Sequence, residues 1–313
     1  DITAVNATVT SDLSIADKML HTGDANTSVR FPAADTITAE TGGSERVRID
    51  SSGKVILGHT ASSGKGSPLQ VVGTGDNAEF QRYQNNEYGP NIHFIKSRNA
   101  TTGSNTIVNS GDAVGTINFR AADGSNYITA AEISAEVDGT PGSSDMPGRI
   151  LFKTTSDGAS SATERMRISK EGYVTQPNLP CFQVNGNPSN SNFSGYDNSW
   201  HSFANVVHNN GSHYSNSTGR FTAPVNGFYH FTAGLWSANS DSTTGAYVLS
   251  IIRQDSDASN STSIAGANHV TERNQLAAAG GTYMTAGQTV RIQYNGSIIT
   301  STPRNYFTGH LVG

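Results

Sequence analysis

Apolar residues recur at every second position through most of this chain, and that period sets its class. Alternation over four to eight residues is the mark of a half-buried strand. Val47 and Ile49 alternate with Arg46 and Arg48, and after a Ser51-Ser52-Gly53 turn Val55 and Leu57 resume the pattern. The same reading applies to Ile117 and Phe119, to Ala131, Ile133, Ala135 and Val137, to Ile150 and Phe152, and to Met166 and Ile168. Asp123-Gly124, Asp138-Gly139 and Asp157-Gly158 separate these runs. Asp-Gly between alternating segments predicts hairpin turns, because Gly supplies the positive φ that such turns need. Ser14–Leu20 could form one or two helical turns, but nothing caps it convincingly.

Three regions follow from the pattern. Residues 1–58 read as an N-terminal β shaft segment and residues 59–180 as a β-rich shaft and meander. Gln176-Pro177-Asn178-Leu179-Pro180 then interrupts any sheet, since proline lacks a ladder donor. Residues 181–313 carry more aromatics and dense strand patterns, including CFQV, FANVVH, GFYHFTAGLW, YVLSIIRQ and TVRIQYNG, as expected for a jelly roll or sandwich. Residues 44–58 and 163–177 share the frame Glu-Arg-x-Arg-Ile-x-x-x-Gly-x-Val, an internal repeat. The apolar faces of the shaft strands are thin. A segment with so few large apolar residues does not build a sufficient core alone, so burial between three chains is expected. The predicted fold is all-β: a trimeric fibrous β shaft followed by a ten-stranded jelly-roll head.

Composition narrows the function. Charged residues make up 14% of the 313 positions and Gly accounts for 33 of them, which suits short strands and tight turns. The net charge is −5 and the basic residues are scattered, which argues against nucleic acid as a partner. No apolar run reaches the roughly 18 residues of a bilayer-spanning helix, so no membrane insertion is expected. Cys181 is the single cysteine, which excludes an intrachain disulfide; it is expected to act as a small buried apolar residue.

The string Gly219-Arg220-Phe221-Thr222-Ala223-Pro224-Val225-Asn226-Gly227-Phe228-Tyr229-His230-Phe231 resembles the signature of the complement-component-one-q globular head. Phe182, Phe203, Val206-Val207, Ala286–Val290 and Phe307–Leu311 match further landmarks in order. The resemblance implies a ten-stranded jelly roll of the tumour-necrosis-factor type, assembled as a trimer. Phe221, Tyr229 and Phe231 are then core residues, and Pro224 with Gly227 makes a tight turn. Residues 1–177 resemble shaft segments of bacteriophage tail fibres of the marine and cyanobacterial type, through SIADKMLHTGDANTSVRFPAADTITAETGGSERVRID, through GDAVGTINFRAADGSNYITAAEISAEVDGTPGSSDMPGRILF and through TERMRI. This implies a virion tail fibre, with other tail or baseplate proteins as partners.

No catalytic constellation stands out, and the chain is expected not to be an enzyme, with no cofactor and no metal. Ser62–Pro68 lacks the spacing of a phosphate loop and reads as a flexible Gly/Ser linker. His208 and His213 are too few for a zinc site, and Asp255-Ser256-Asp257 reads as a solvated turn. Glu132 and Glu136 share a strand face opposite the apolar one and are expected to be solvated.

Strand parity places the Pro224–Gly227 and Ala286-Gly287 turns at the base of the head, beside the chain's entry and exit. The loops Asn192–Trp200, Asn239–Gly245, His269–Gln275 and Gly296–Asn305 gather at the apex. Their Tyr196, Trp200, Asp241, Arg273 and Arg304 are the receptor-binding candidates, aromatic faces and polar groups suited to a host-surface glycan or outer-membrane protein. A non-viral adhesin or lectin with the same head is the alternative, and a glycan depolymerase the third reading.

Overall fold

The computed structural model describes residues 14–64, 66–188, 199–236, 247–257, 259–269, 275–295 and 305–313. Among them are twenty-two strands and no helix. The chain divides into two compact units, residues 1–95 with 121–127, and residues 96–120 with 128–313.

The first unit holds one sheet of β1 (Lys18–His21), β2 (Asp24–Arg30), β3 (Ile37–Thr41), β4 (Ser44–Ile49), β5 (Val55–Leu57) and β6 (Leu69–Val71), paired in chain order. Ser14–Leu20 is not helical: Lys18, Met19 and Leu20 pair with Arg30, Val29 and Ser28. A ladder partner outweighs a weak, uncapped helical preference. The sheet also runs past the boundary expected at residue 58, because β6 adds parallel to β5.

Register sorts its two faces. Met19, Val29, Ala39, Val47, Leu57 and Val71 form one cross-strand row, and Ile37, Ile49, Val55 and Leu69 form another. Lys18, Arg30, Thr38, Arg48, Ile56 and Gln70 lie between them. Side chains alternate along a strand, so both apolar rows share one face and the polar row takes the other. The apolar face is open, with Met19 46% and Leu69 62% exposed. The polar face is the packed one: Ile56 and Thr38 are buried there, and residues 59–68 close over Gln70. Ser63 N–H donates to Gln70 Oε1 at 2.8 Å, and Gln70 Nε2 donates to Ser62 Oγ and to the Ser67 carbonyl. The Gly/Ser stretch is therefore a pinned loop and not a flexible linker.

β7 (Ala113–Ala122), β8 (Tyr127–Val137), β9 (Gly148–Thr154), β10 (Thr163–Ile168) and β11 (Val174–Thr175) form a second sheet, a meander, as the alternation predicts. Asp123 makes the tight turn before β8, its carboxylate accepting the Ser125 and Asn126 N–H groups. Asp138 and Asp157 lie instead in longer connections; Asp138 accepts from Lys170 N–H and Arg149.

The sequence repeat is a structural repeat. In β4, Arg48 grips Glu45 through two bonds of 2.7 and 2.6 Å; in β10, Arg167 grips Glu164 at 3.0 and 2.7 Å. Arg46 Nε donates to Thr41 Oγ1, and Arg165 Nε to Thr154 Oγ1. The following turns match too, with Gly53 at φ 76° and Gly172 at φ 82°. Ile133, Phe152 and Met166 form one apolar row and Ala135, Ile150, Ile168 and Val174 another, on one face as in the first sheet.

The head contains β12 (Cys181–Pro188), β13 (Ser199–His201), β14 (Phe203–Asn210), β15 (Tyr214–Ser215), β16 (Arg220–Thr222), β17 (Gly227–Trp236), β18 (Tyr247–Gln254), β19 (Ser261–His269), β20 (Gln275–Met284), β21 (Thr289–Asn295) and β22 (Tyr306–Leu311). One sheet has the order β14-β12-β22-β17-β20; the other is β15-β16-β21-β18-β19, with β13 added beside β21. Among the described residues the head has eleven strands, the short β13 included. Phe221, Tyr229 and Phe231 are fully buried, as expected. Phe182 centres the aromatic core, with ring centroids 4.9 Å from Tyr214, 5.1 Å from Phe221 and 4.9 Å from Phe307.

Gly309 makes room for this cluster. A Cβ there would run into the Phe231 and Phe182 rings. Gly309→Ala is expected to destabilise the head by ~1–3 kcal/mol through overpacking, measured as a lowered denaturant midpoint.

Candidate functional site

Hydrogen bonds define the base of the head. Leu311 N–H donates to the Pro180 carbonyl at 3.0 Å, and Phe228 N–H to the Gly313 carbonyl at 2.7 Å, so entry and exit lie together. Ala223 N–H donates to the Gln288 carbonyl, and Ala286 N–H to Asn226 Oδ1, so the two predicted base turns touch. Asn210 Nδ2 holds the preceding segment by donating to the Pro177 and Leu179 carbonyls. Asp255 belongs to this scaffold as well: its carboxylate accepts from Gln288 and Asn260, the work of a structural turn.

Of the five receptor-binding candidates, Tyr196, Asp241, Arg273 and Arg304 lie outside the described residues. Trp200 is a strand residue and not a loop residue: it sits in β13 opposite Gln293. Asn305, at the end of the last apex loop, is fully buried. Its Oδ1 accepts Trp236 N–H at 2.8 Å and its carbonyl accepts Gly186 N–H, a clamp between strand ends.

The outer faces of the two sheets differ. On the sheet centred on β22, Phe228 and Tyr283 are direct cross-strand partners, 45% and 58% exposed. Ala277, Ala279 and Gly281 share their face by strand parity. His230 and His310 pair across β17 and β22 with rings 5.7 Å apart, and Cys181 lies opposite His310. Cys181 is thus half-buried on an outer face and not a core residue, since Phe182 beside it takes the inward position. Partial burial pushes its thiol pKa up.

On the other sheet, one row reads Ser215, Arg220, Arg291, Ile252 and Ser263; Phe221 opposite Val290 sets the two arginines side by side. Both Nε atoms are buried. Burial first and Arg220 second pull the Arg291 pKa down to about 10. Sequence reasoning passed over this pair. The signal was legible as arginines flanking the core residues Phe221 and Val290, but their adjacency needed the strand order.

The meander carboxylates are occupied. Glu136 and Asp138 bind Arg149 at 2.6 and 3.0 Å, and Glu132 binds Lys153 at 2.8 Å, all partly shielded rather than freely solvated. His213 packs edge-on to Phe221 and burial lowers its pKa, whereas His208 is exposed. Among the described residues, no three His, Cys, Asp or Glu side chains group as metal ligands, and no helix is long and apolar enough to cross a membrane.

Residues 183–312 match the C1q domain family. No curated protein is similar to the chain. Similar solved structures include the globular domain of zebrafish complement 1qA protein, 20% identical over 43% of this chain and 98% of that one, with a TM-score of 0.31. Murine APRIL at pH 8.0 is 10% identical over 43% of this chain and 99% of its own, with a TM-score of 0.36. Eiger, a TNF of S. frugiperda, is 10% identical over 44% and 94%, with a TM-score of 0.36. Residues 183–312 thus carry a C1q domain.

Burial pushes the Tyr214 hydroxyl up to about 12, against a partial offset from Phe203 N–H, which donates to its oxygen. A raised folded pKa contributes stability that is complete below the unfolded value and is lost as pH rises through the folded one. Head stability is expected to fall between pH 10 and about 12, and Tyr214→Phe to remove that part of the decline in denaturation series across pH.

Proposed function

We propose that this chain is a bacteriophage tail fibre, a homotrimer in the virion whose C-terminal head attaches to a glycan or outer-membrane protein on the host surface. The observation that carries the reading is the open apolar face of the first sheet. Ten aliphatic or small apolar side chains lie on it in two rows. Covering them yields about 1 kcal/mol for each half-exposed large side chain, enough in sum to rival the cost of association. The second sheet repeats the same face with the same Glu-Arg clamp, which suits a shaft built from stacked units that three chains complete together. The exposed Phe228–Tyr283 pair, with alanines and glycine beside it, is the corresponding self-association face of the head.

Such a molecule binds and does not catalyse. The shaft carboxylates that a depolymerase would need are held by Arg149 and Lys153. Three heads per fibre raise weak single contacts to useful avidity.

Light scattering of the purified chain is expected to give three times the 32.9 kDa chain mass. Ile49→Glu with Ile168→Glu is expected to reduce that mass or to send the protein into aggregates, and Phe228→Glu with Tyr283→Glu to weaken head association. A well-folded wild-type monomer at micromolar concentration contradicts the assembly. Attachment is tested separately: the wild-type protein should coat host cells and block particle adsorption, and absence of both removes that part of the reading.

A further inference from the structure

We infer that residues 76–95 are an arm that pairs, in the assembled molecule, with the same residues of the neighbouring copies of this chain. The inference deepens the trimeric reading above and rests on it.

Among the described residues, the chain itself offers this arm no ladder. The arm follows β6 in sequence and contains no strand. Its single backbone–backbone hydrogen bond runs from Asn86 N–H to the Gln84 carbonyl at 2.9 Å. Its side chains bond locally: Arg82 lies 5.8 Å from the Tyr88 ring centre and donates to Gln84 Oε1, and the Tyr83 hydroxyl donates to Gln81 Oε1. Tyr88 N–H donates to Asn86 Oδ1. Residues 82–89 thus form an organised turn, and the stretches on either side of it are unpaired.

Their composition does not suit a solvated loop. Phe80, Tyr83, Tyr88, Ile92, Phe94 and Ile95 are 53–91% exposed. Aromatic and β-branched residues favour strands, and Ile92 and Phe94 alternate with Asn91 and His93 at the period of one. A segment that stays disordered carries few such side chains.

Size and charge identify the occupant. At about 100–150 Å² of exposed apolar surface each, the six side chains present roughly 600–900 Å². That exceeds the usual patch on a monomer and approaches the ~800 Å² per partner of a stable interface. Arg82 and Glu87 are the formal charges between Phe80 and Ile95, and they cancel, so identical arms do not repel. The arm also starts shortly after Val71, the last member of an open apolar row in the first sheet. Pairing between copies supplies acceptors for the arm's amides and cover for its side chains at once.

Amide hydrogen exchange of the full chain in its native assembly tests this, with a synthetic peptide of residues 76–97 as the unpaired reference. Amides between Phe80 and Ile95 are expected to exchange at least roughly a hundred-fold more slowly in the assembly than in the peptide. Ile92→Asp with Phe94→Asp is expected to return them to the peptide rate while the head strands stay protected; Ile92→Val with Phe94→Leu should keep the protection. Phe94→Cys in a Cys181→Ser chain places one thiol on each arm, and mild oxidation or a short bismaleimide is expected to give covalent dimers on non-reducing gels. Peptide-like exchange in a chain that light scattering shows to be trimeric overturns the arm and leaves the assembly standing. Protection in a monomer also overturns it, by assigning the arm a partner in its own chain. Protection that arises only when host envelope is added does so by assigning an outside partner. Protection without any cross-link overturns the like-with-like pairing. A monomer with peptide-like exchange removes the arm and the trimeric reading together.

Discussion

A sheet with one apolar face must have that face covered, and this chain meets the requirement in its head while leaving it open in its first sheet. In the head, two sheets face each other and their aromatic residues fill the space between, with Phe182, Phe221, Phe231 and Phe307 in mutual contact. In the first sheet, Met19, Val29, Ile37, Ile49 and Leu69 remain exposed although they line up in register. The packing that does occur there is on the wrong side for a lone domain: Thr38, Ile56 and Gln70 are buried, Gln70 held by Ser62, Ser63 and Ser67, while the greasier rows stand open. The proposed self-association rests on that inversion more than on any motif.

The electrostatics are arranged to suit. Several carboxylates of the two N-terminal sheets have a basic neighbour within their own sheet, as in Arg48 with Glu45 and Arg149 with Glu136. Such pairs contribute little stability when exposed; their use is to keep the outer side soluble and in register. In the head, Arg220 and Arg291 stand side by side on one outer face.

Most of the architecture was legible because a period of two is hard to mistake. Meander strands, the inward set Phe221, Tyr229 and Phe231, and the base turns near Pro224 and Ala286 all follow from alternation and parity. What was missed depended on tertiary pairing. Met19 and Leu20 looked helical until Val29 and Ser28 supplied a ladder. Ser62–Pro68 looked loose because its organiser, Gln70, lies beyond it in the chain. Cys181 looked like a core residue by composition, yet Phe182 next to it claims the inward position. Two of the three Asp-Gly pairs sit in longer connections, since Asp138 is drawn away to Lys170 and Arg149. The outer faces of the head were the least legible part: Trp200 proved to be in a strand, and the adjacency of Arg220 and Arg291 emerged only once β16 and β21 were known to be neighbours.

The twice-used β3–β5 and β9–β11 hairpins have a consequence for how such a protein changes over generations. Each carries its own clamp, its own glycine turn and its own greasy stripe, so neither needs the other to set its shape. A unit of that kind can be duplicated or lost as a block without disturbing the packed core of the C1q domain.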